Sequence, residues 1–472
     1  AGSARGVVLG RLTEADVAEL VELAAPAAGD VTTRLYAETD GVPLFVVEYL
    51  TALAWGVDLD AVAGGVRDLL RARLSSVSEP AVQVLAAAAV IGRSFDSETV
   101  REASGRSDDE VVAALEELTR RGLVDDAGET YDFRHEQVRT LVYEDTSLAR
   151  RRLLHRRVAE ALAERPRGGL EPGARAQTIA RHYQLAGREL EAAEYFKLAG
   201  EHASKLYANA EALAHFETAL ALGHSNAAAL HEAIGDVRTL LGDYGGALAS
   251  YEAAAAQAGP GDVADLERKL GALHQRRGEW ELADSHLEAA LAALPHGEHA
   301  RRSRLQADRS LTAHRAGDRE RALELARAAL ELAELDGDPW SLAQAHNVLG
   351  ILAKSSADLA RAREHLERSL PFAERLGDPT ARVAVLNNLA LLAREERDLE
   401  RAVELTENAL TLCAAQGDRH REAALHNNLA DLLKALGRSH ESMVHLKRAV
   451  ALFAEVGEDG AMQPEIWKLV EW

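Results

Sequence analysis

Self-similarity at a spacing of 40 residues is the feature of this sequence that most restricts its fold. A Gly-Asp pair opens each of the last units. The Gly is suited to a turn, and the Asp that follows it can cap the next helix. These pairs are Gly337-Asp338, Gly377-Asp378 and Gly417-Asp418. Sustained periodicity of this kind indicates a solenoid, in which each unit packs mainly against its neighbours.

Each unit contains two helical segments, and each segment has its own small residues in phase. In the first segment a Leu is followed by a small residue, at Leu349-Gly350, Leu389-Ala390 and Leu429-Ala430. In the second segment the small residues are Ala362, Ala402 and Ser442, and then Ser369, Ala409 and Ala449. Between the segments stand Asp318, Asp358 and Asp398. Small residues let two helices approach closely, so the pattern predicts a series of helix hairpins.

The earlier units carry the residues of a known repeat. Ile234-Gly235 is followed by Tyr244, Ala247 and Tyr251. This order resembles the tetratricopeptide repeat, whose signature is Leu-Gly, an aromatic residue and then Ala in the second helix. The resemblance covers roughly residues 173 to 457. It implies seven or eight hairpins in a right-handed superhelix, an α-solenoid with a concave groove.

Composition and charge narrow the class of protein further. Alanine and leucine dominate and aromatic residues make up 4% of the chain, which predicts a mainly all-α fold. A net charge of -22 argues against nucleic-acid binding, which needs clustered Lys and Arg. The single cysteine, Cys413, excludes an intramolecular disulfide. With no apolar stretch long enough for a membrane span, we expect a cytoplasmic protein without membrane contact.

Residues 66–165 have a different pattern, which predicts a winged-helix domain. Several helical segments are followed by Leu123-Val124 and 131–133, and these flank the turn-prone residues 125–128. Two short strands after a helix are typical of a wing. The helix before them, 108–121, carries five acidic against two basic residues, so we do not expect it to bind DNA.

Two short motifs resemble signal-transduction ATPases of the STAND class, as in maltose-type activators and large actinobacterial regulators. The first is Gly41-Val42-Pro43, which is similar to the Gly-x-Pro motif of the helical lid; the second is Phe133-Arg134-His135-Glu136. The resemblance implies that Pro43 packs near the adenine and that His135 contacts the nucleotide diphosphate in the resting state. Residues 1–65 would be the remnant of the lid, 166–460 the repeat array and 461–472 a capping helix.

The sequence departs from that class in a way that bears on activity. There is no Gly-Lys dipeptide and hence no P-loop, so we expect no enzyme activity in this chain. It begins with Ala1 rather than Met, which suggests a fragment whose ATPase core lies upstream. ATP or ADP would bind only together with that core. No metal site is expected, since Arg139 stands where a zinc-protease helix needs its second His after His135.

Two columns of polar residues mark the first helices of the last units. The amide column is Asn347, Asn387 and Asn427, with Asn388 and Asn428 beside it. The basic column, seven residues later in each unit, is Lys354, Arg394 and Lys434. On the concave face these side chains could bind the backbone and carboxylates of a peptide. The alternative is that the asparagines space neighbouring helices and the bases balance nearby glutamates.

Three functions follow as hypotheses. The leading one is the sensor half of a STAND-type regulator, which binds an inducer or partner protein in its groove and controls a nucleotide-dependent switch. Its output could be transcription. The second is a constitutive scaffold for protein–protein interaction without nucleotide control. The third is an enzyme whose chemistry the sequence does not reveal.

Overall fold

The computed structural model describes residues 11–24, 31–54, 66–164, 172–259, 261–377 and 379–456. The predicted capping helix at 461–472 and the predicted cap Asp378 lie outside these ranges. The chain forms two compact units: Ala1–Glu171 with Thr178–Ala192, and Pro172–Gln177 with Ala193–Trp472. No helix in the described ranges has the length and apolar character needed to cross a bilayer.

The first unit is built mainly from helices. They are α1 (Glu14–Ala24), α2 (Thr32–Thr39), α3 (Pro43–Ala54), α4 (Val66–Ser75), α5 (Glu79–Ile91), α6 (Ser97–Ser104), α7 (Asp108–Arg120), α8 (Glu136–Asp145) and α9 (Leu148–Glu164). Helix α10 (Pro172–Leu185) and the start of α11 (Glu189–Lys205) belong partly to this unit. Helices α1 to α3 share a small apolar cluster around Val46 and Tyr49, while α4 to α9 surround a larger one around Leu118 and Phe133.

The hairpin predicted from the sequence is present, and a third strand joins it. Strands β1 (Ser94–Phe95), β2 (Val124–Asp126) and β3 (Tyr131–Phe133) form an antiparallel sheet in the order β1-β3-β2. Helix α7 begins with a capping box between Ser107 and Glu110 and leads directly into β2. Phe95 and Phe133 are buried in an apolar cluster with residues of α5 and α7, and this packing places the sheet against those helices.

Arg156 and Arg157 are neighbours on α9 and have different kinds of partner. Arg156 pairs with Glu160 at 3.8 Å, as expected for a solvated helix face. Arg157 instead donates to the carbonyl oxygens of Ala103 and Ser104, at 3.3 and 3.2 Å. These carbonyls end α6 and lack partners within their own helix, so Arg157 caps it from another element.

The second unit is a series of antiparallel helix pairs. Its helices after α11 are α12 (Asn209–Ala221), α13 (Ala227–Leu241), α14 (Tyr244–Ala255), α15 (Val263–Arg277), α16 (Trp280–Ala293), α17 (His299–Arg315), α18 (Arg319–Asp336), α19 (Pro339–Ser355), α20 (Leu359–Arg375), α21 (Pro379–Glu395), α22 (Leu399–Gln416), α23 (Arg419–Ala435) and α24 (Ser439–Glu455). From α17 onward, corresponding helices begin 40 residues apart. The mainly helical fold and the helical-repeat solenoid are therefore confirmed.

Aspartates terminate the turns as the repeat pattern predicts. Asp318, Asp358 and Asp398 each accept a hydrogen bond from the backbone N–H three residues later, at the starts of α18, α20 and α22. Gly337 adopts a φ of 64° at the end of α18, a conformation that favours glycine, and Asp338 caps α19. The turns before α19 and α23 thus share one chemistry, since Asp418 caps α23 in the same way.

Within a pair, the closeness of the two helices is set by one small residue on the first helix facing a residue 16 positions later. Glycine faces a large side chain in the pairs Gly200 with Phe216, Gly235 with Tyr251, Gly271 with Leu287, and Gly350 with Leu366. A Cβ built on Gly350 would lie 2.6 Å from Leu366 Cγ. Where the small residue is larger, as at Ala390, the residue 16 positions on is the smaller Thr406. The sizes compensate in that pair, whereas Ala430 is followed 16 positions later by Leu446, which is 39% exposed.

We predict that Gly350→Ala destabilises the array by about 1–3 kcal/mol, because the added methyl overlaps the buried Leu366 side chain. Urea unfolding measures this change. In a double-mutant cycle, the same substitution in a Leu366→Ala background should lose most of its effect, since the overlapping atoms are gone. Equal effects in both backgrounds would contradict the size-matching explanation.

Candidate functional site

The last helix pair of the array contacts pairs that lie far earlier in the chain. Arg276, near the end of α15, donates from its two terminal nitrogens to Asp418 at 3.1 and 2.7 Å. Burial by itself would raise the pKa of Asp418, but the Arg276 guanidinium overrides that effect and holds the pKa well below its usual range. The ion pair is therefore formed at neutral pH and is lost only as the pH falls below the normal range of an aspartate.

Three further contacts join residues after position 415 to helices α12 and α14. The Tyr244 hydroxyl lies 2.6 Å from His420 Nδ1, and burial raises the pKa of this phenol to about 12, so it stays protonated and can donate. Asn209 Nδ2 donates to the Gln416 carbonyl oxygen at 3.0 Å. Val456 is buried in an apolar cluster with residues of α14 and α15, among them Tyr244. We call this set, with the Arg276–Asp418 pair, the closure contact.

A cavity of about 250 Å³ lies next to the closure contact, inside the second unit. Most of its lining residues lie on the first helices of successive pairs. The residues lining it are Thr239, Arg268, Ala272, Gln275, Arg276, Trp280, Asp308, Leu311, Thr312, Arg315, Trp340, Thr380, His420 and Arg421. Pockets that combine apolar side chains with convergent polar groups are a usual form of binding site, so we take this cavity as the candidate functional site.

Asp308 is the carboxylate in the cavity wall, and it is 8% exposed. Gln344 Nε2 donates to its Oδ1 at 2.6 Å. Burial raises the pKa of Asp308 to about 6, against the opposing effects of Arg268, the Gln344 amide and Arg304. The folded array therefore favours the protonated acid, and its stability falls as the pH rises from about 4 to about 6.

We predict that Arg276→Met opens the closure contact while the helix pairs stay folded. Removing one partner of a buried ion pair costs about 3–5 kcal/mol, yet each pair of a solenoid packs mainly on its neighbours. Small-angle scattering should report a larger radius of gyration, with the helical circular dichroism signal unchanged. Arg277→Met is the matched control, because Arg277 pairs locally with Glu279. An unchanged scattering profile for Arg276→Met would contradict the prediction.

The predicted asparagine column lies between neighbouring helices and bonds across the repeats. Asn388 Nδ2 donates to Asn347 Oδ1, and Asn428 Nδ2 donates to Asn387 Oδ1, both at 3.1 Å. These four side chains are buried, whereas Asn427 is half-buried. The arrangement matches the spacing role that the sequence left open. The Nδ2 groups of Asn347 and Asn387 are buried without a hydrogen-bond partner, so peptide binding by this column stays a prediction.

The basic column lies elsewhere on the same helices. Lys354 and Arg394 are half-buried near the ends of α19 and α21, and Lys434 is exposed near the end of α23. The cavity is lined from these helices by residues of their first turns, such as Trp340 and Thr380. None of the residues predicted to bind a partner lines the cavity, and their role stays a prediction.

We predict that Asn387→Ala destabilises the array by about 1–3 kcal/mol, because Asn428 Nδ2 would be left buried without its acceptor. The control is Asn427→Ala, since the Asn427 side chain makes no hydrogen bond within the described residues and should change stability by less than about 0.5 kcal/mol. Urea unfolding compares the two. Equal effects would show that the column does not hold the repeats together.

The predicted nucleotide-facing residues lie in the first unit. Gly41 joins α2 to α3 with a φ of 64°, and a Cβ there would overlap the Leu12 carbonyl oxygen, so the position requires glycine. Pro43 is exposed at the start of α3. His135 is half-buried between β3 and α8, where its backbone precedes the helix. Gly41 thus has a structural reason of its own, and nucleotide contact by these three residues stays a prediction.

A second cavity, of about 370 Å³, lies next to these residues. Phe45, two positions after Pro43, lines it together with Glu136, the neighbour of His135. Glu144 and Arg67, which pair with each other, also line it. Two carboxylates and one guanidinium give this wall a negative balance, so by itself it does not suit a diphosphate.

Sequence reasoning missed the residues of the array cavity. One signal was available, because Trp340, Thr380 and His420 share one phase of the 40-residue period. Asp308 stands at the phase of Asn388 and Asn428, where an acid replaces the amide. Arg268 and Arg276 come from units with shorter spacing, and no periodic signal places them beside α23.

Comparisons with known proteins agree on the repeat type. The tetratricopeptide repeat model matches residues 381–455, so the chain contains tetratricopeptide repeats. No curated protein sequence matches the chain.

Several solved structures are similar in fold. A STAND protein with a tetratricopeptide repeat sensor from Pyrococcus horikoshii is 15% identical over 94% of this chain and 60% of its own, with a TM-score of 0.37. A Rap protein complexed with competence and sporulation factor is 14% identical, covering 80% and 98%, with a TM-score of 0.46. The Rap conjugation gene regulator of plasmid pLS20, in complex with the Phr* peptide, is 15% identical, covering 83% and 100%, with a TM-score of 0.48. The chain spans 60% of the length of the archaeal protein.

Proposed function

We propose that this chain is the sensor and regulatory part of a STAND-type regulator. Its repeat array binds a protein or peptide ligand, or another inducer, and that binding controls a nucleotide-dependent switch. The observation that carries the proposal is the closure contact beside a lined cavity. A solenoid whose distant pairs meet through a few side chains has two discrete arrangements, open and closed, and a ligand can act on their balance.

The sensing step is a shift between these two populations. A ligand shifts the balance only if it binds one arrangement better than the other. Arg276 and His420 belong to both the cavity wall and the closure contact, so a ligand that touches them acts on closure directly. Partner binding and array closure are thereby linked through shared side chains.

The first unit supplies the proposed restraint on the switch. The antiparallel sheet in the order β1-β3-β2, with α7 before strands β2 and β3, supports the proposed winged-helix domain. His135 follows the last wing strand, and Gly41 makes the turn before α3. The described residues provide no cradle for phosphates, so the phosphate-binding groups would come from an ATPase core upstream of Ala1. His135 would contact the diphosphate of a nucleotide held there.

The competing function is a constitutive scaffold without nucleotide control. The buried asparagine contacts between repeats favour it, because they rigidify the array without any ligand. The coding sequence before Ala1 separates the two proposals. A P-loop motif in the same reading frame supports the regulator, whereas a start codon with no such motif before it supports the scaffold.

We predict that His135→Ala, in the protein that also contains the proposed core, lowers the ADP retained through purification by roughly tenfold and raises output without inducer, since a contact to the diphosphate is lost. Chromatography of the released nucleotide measures the first effect. His296→Ala is the control, because His296 is exposed in the repeat array. Unchanged ADP in His135→Ala would leave this histidine a structural role only.

A further inference from the structure

The interior cavity of the array has a charge opposite to that of the chain as a whole. The chain carries a net charge of -22, yet four arginines line the cavity. Arg276 and Arg421 both lie within ion-pair distance of Asp418, at 2.7 and 3.5 Å. Asp308 also lines the cavity, and the charge of Arg268 acts on it. The wall is therefore cationic and would attract an anion.

Arg268 is the guanidinium in this wall best placed to take a ligand. It is half-buried on α15, and within the described parts of the second unit no side chain forms an ion pair or hydrogen bond with it. Its charge acts on Asp308 at longer range, since it opposes the rise of that pKa. It also lines a neighbouring cavity of about 230 Å³. A planar fork of donors without a partner is suited to a carboxylate.

Apolar side chains form part of the same wall, which also contains threonines, Gln275 and His420. Trp280 and Trp340 are half-buried in it, and Leu311 is buried. The Arg304 guanidinium lies over the Trp340 ring, 5.6 Å from its centre, in a cation–π contact. The cavity, of about 250 Å³, has space for a small organic group beside these side chains.

We propose that this cavity binds a carboxylate joined to an aromatic or branched apolar group, with Arg268 as its ion-pair partner and the indoles of Trp280 and Trp340 against the apolar part. This inference rests on the proposed sensor role and names the ligand chemistry of the same site. The carboxylate can come from a small organic acid or from the free C-terminus of a peptide. Either one would bring a charge-assisted bond and buried apolar surface together.

Asp308 gives the site a pH dependence. When ionised, it competes with the ligand's carboxylate for Arg268 and repels it. The charged groups that act on Asp308 are Arg268 from α15 and Arg304 from its own helix, while α19 contributes the neutral Gln344 amide. Because burial raises the pKa of Asp308 to about 6, it becomes neutral as the pH falls through that value. Carboxylate binding should then strengthen.

The experiment titrates the chain with 3-phenylpropionate and with the dipeptide Ala-Phe, in its free-acid and C-terminally amidated forms, and follows tryptophan fluorescence and calorimetric heat. We expect the free acids to bind and the amide to bind at least about tenfold more weakly. Binding of 3-phenylpropionate alone identifies a small acid as the source, and binding of the dipeptide acid alone identifies a peptide terminus. Equal binding of the acid and amide forms, or no binding of either acid, would overturn the inference.

Two variants locate the site and its titration. Arg268→Met should weaken the acids about tenfold, while Arg327→Met, which changes an exposed arginine on α18, should not. In the wild-type chain affinity should rise between about pH 7.5 and about pH 5.5, and Asp308→Asn should remove that rise. Unchanged affinity in Arg268→Met would overturn the site. These results are independent of the His135 and reading-frame tests, so carboxylate recognition can fail while the sensor role stands.

Discussion

The ion pair between Arg276 and Asp418 is the interaction on which the arrangement of the array depends. The two residues are 142 positions apart, and the helix pairs between them also pack against their neighbours. Its burial makes it an all-or-none contact, since separating the charges leaves one of them without compensation. The same arginine lines the interior cavity. Loss of the closure contact would therefore also change the wall of the cavity.

Local packing supplies the rigid units that this contact brings together. In four helix pairs a glycine faces a large side chain 16 positions later, and buried asparagines bond from one repeat to the next. Val348 shows the logic of the asparagine contacts, because the residue 41 positions earlier is Ala307, which has no side-chain acceptor. An apolar residue therefore replaces the donor at that position. Rigid pairs with a separable long-range contact are a suitable basis for a two-state sensor.

Charge is distributed differently on the outside and the inside of the array. The chain as a whole is acidic, while four arginines line the cavity that also contains Trp280 and Trp340. Burial raises the pKa of Asp308 to about 6, and Arg268 opposes that rise. The proposed ligand recognition therefore depends on a small number of side chains in one pocket.

The sequence by itself determined the features that repeat along the chain. The 40-residue period predicted the helix pairs, their capping aspartates and the close approach at Gly350, and the turn residues before Tyr131 predicted the hairpin. Such features depend on neighbours a few tens of residues apart, and their periodicity is visible in one dimension. Only the tertiary structure decided which distant residues meet. The pairing of Arg276 with Asp418, and the cavity that includes Arg268 and Asp308, arise from small rotations added up over many repeats, and no local pattern encodes that sum.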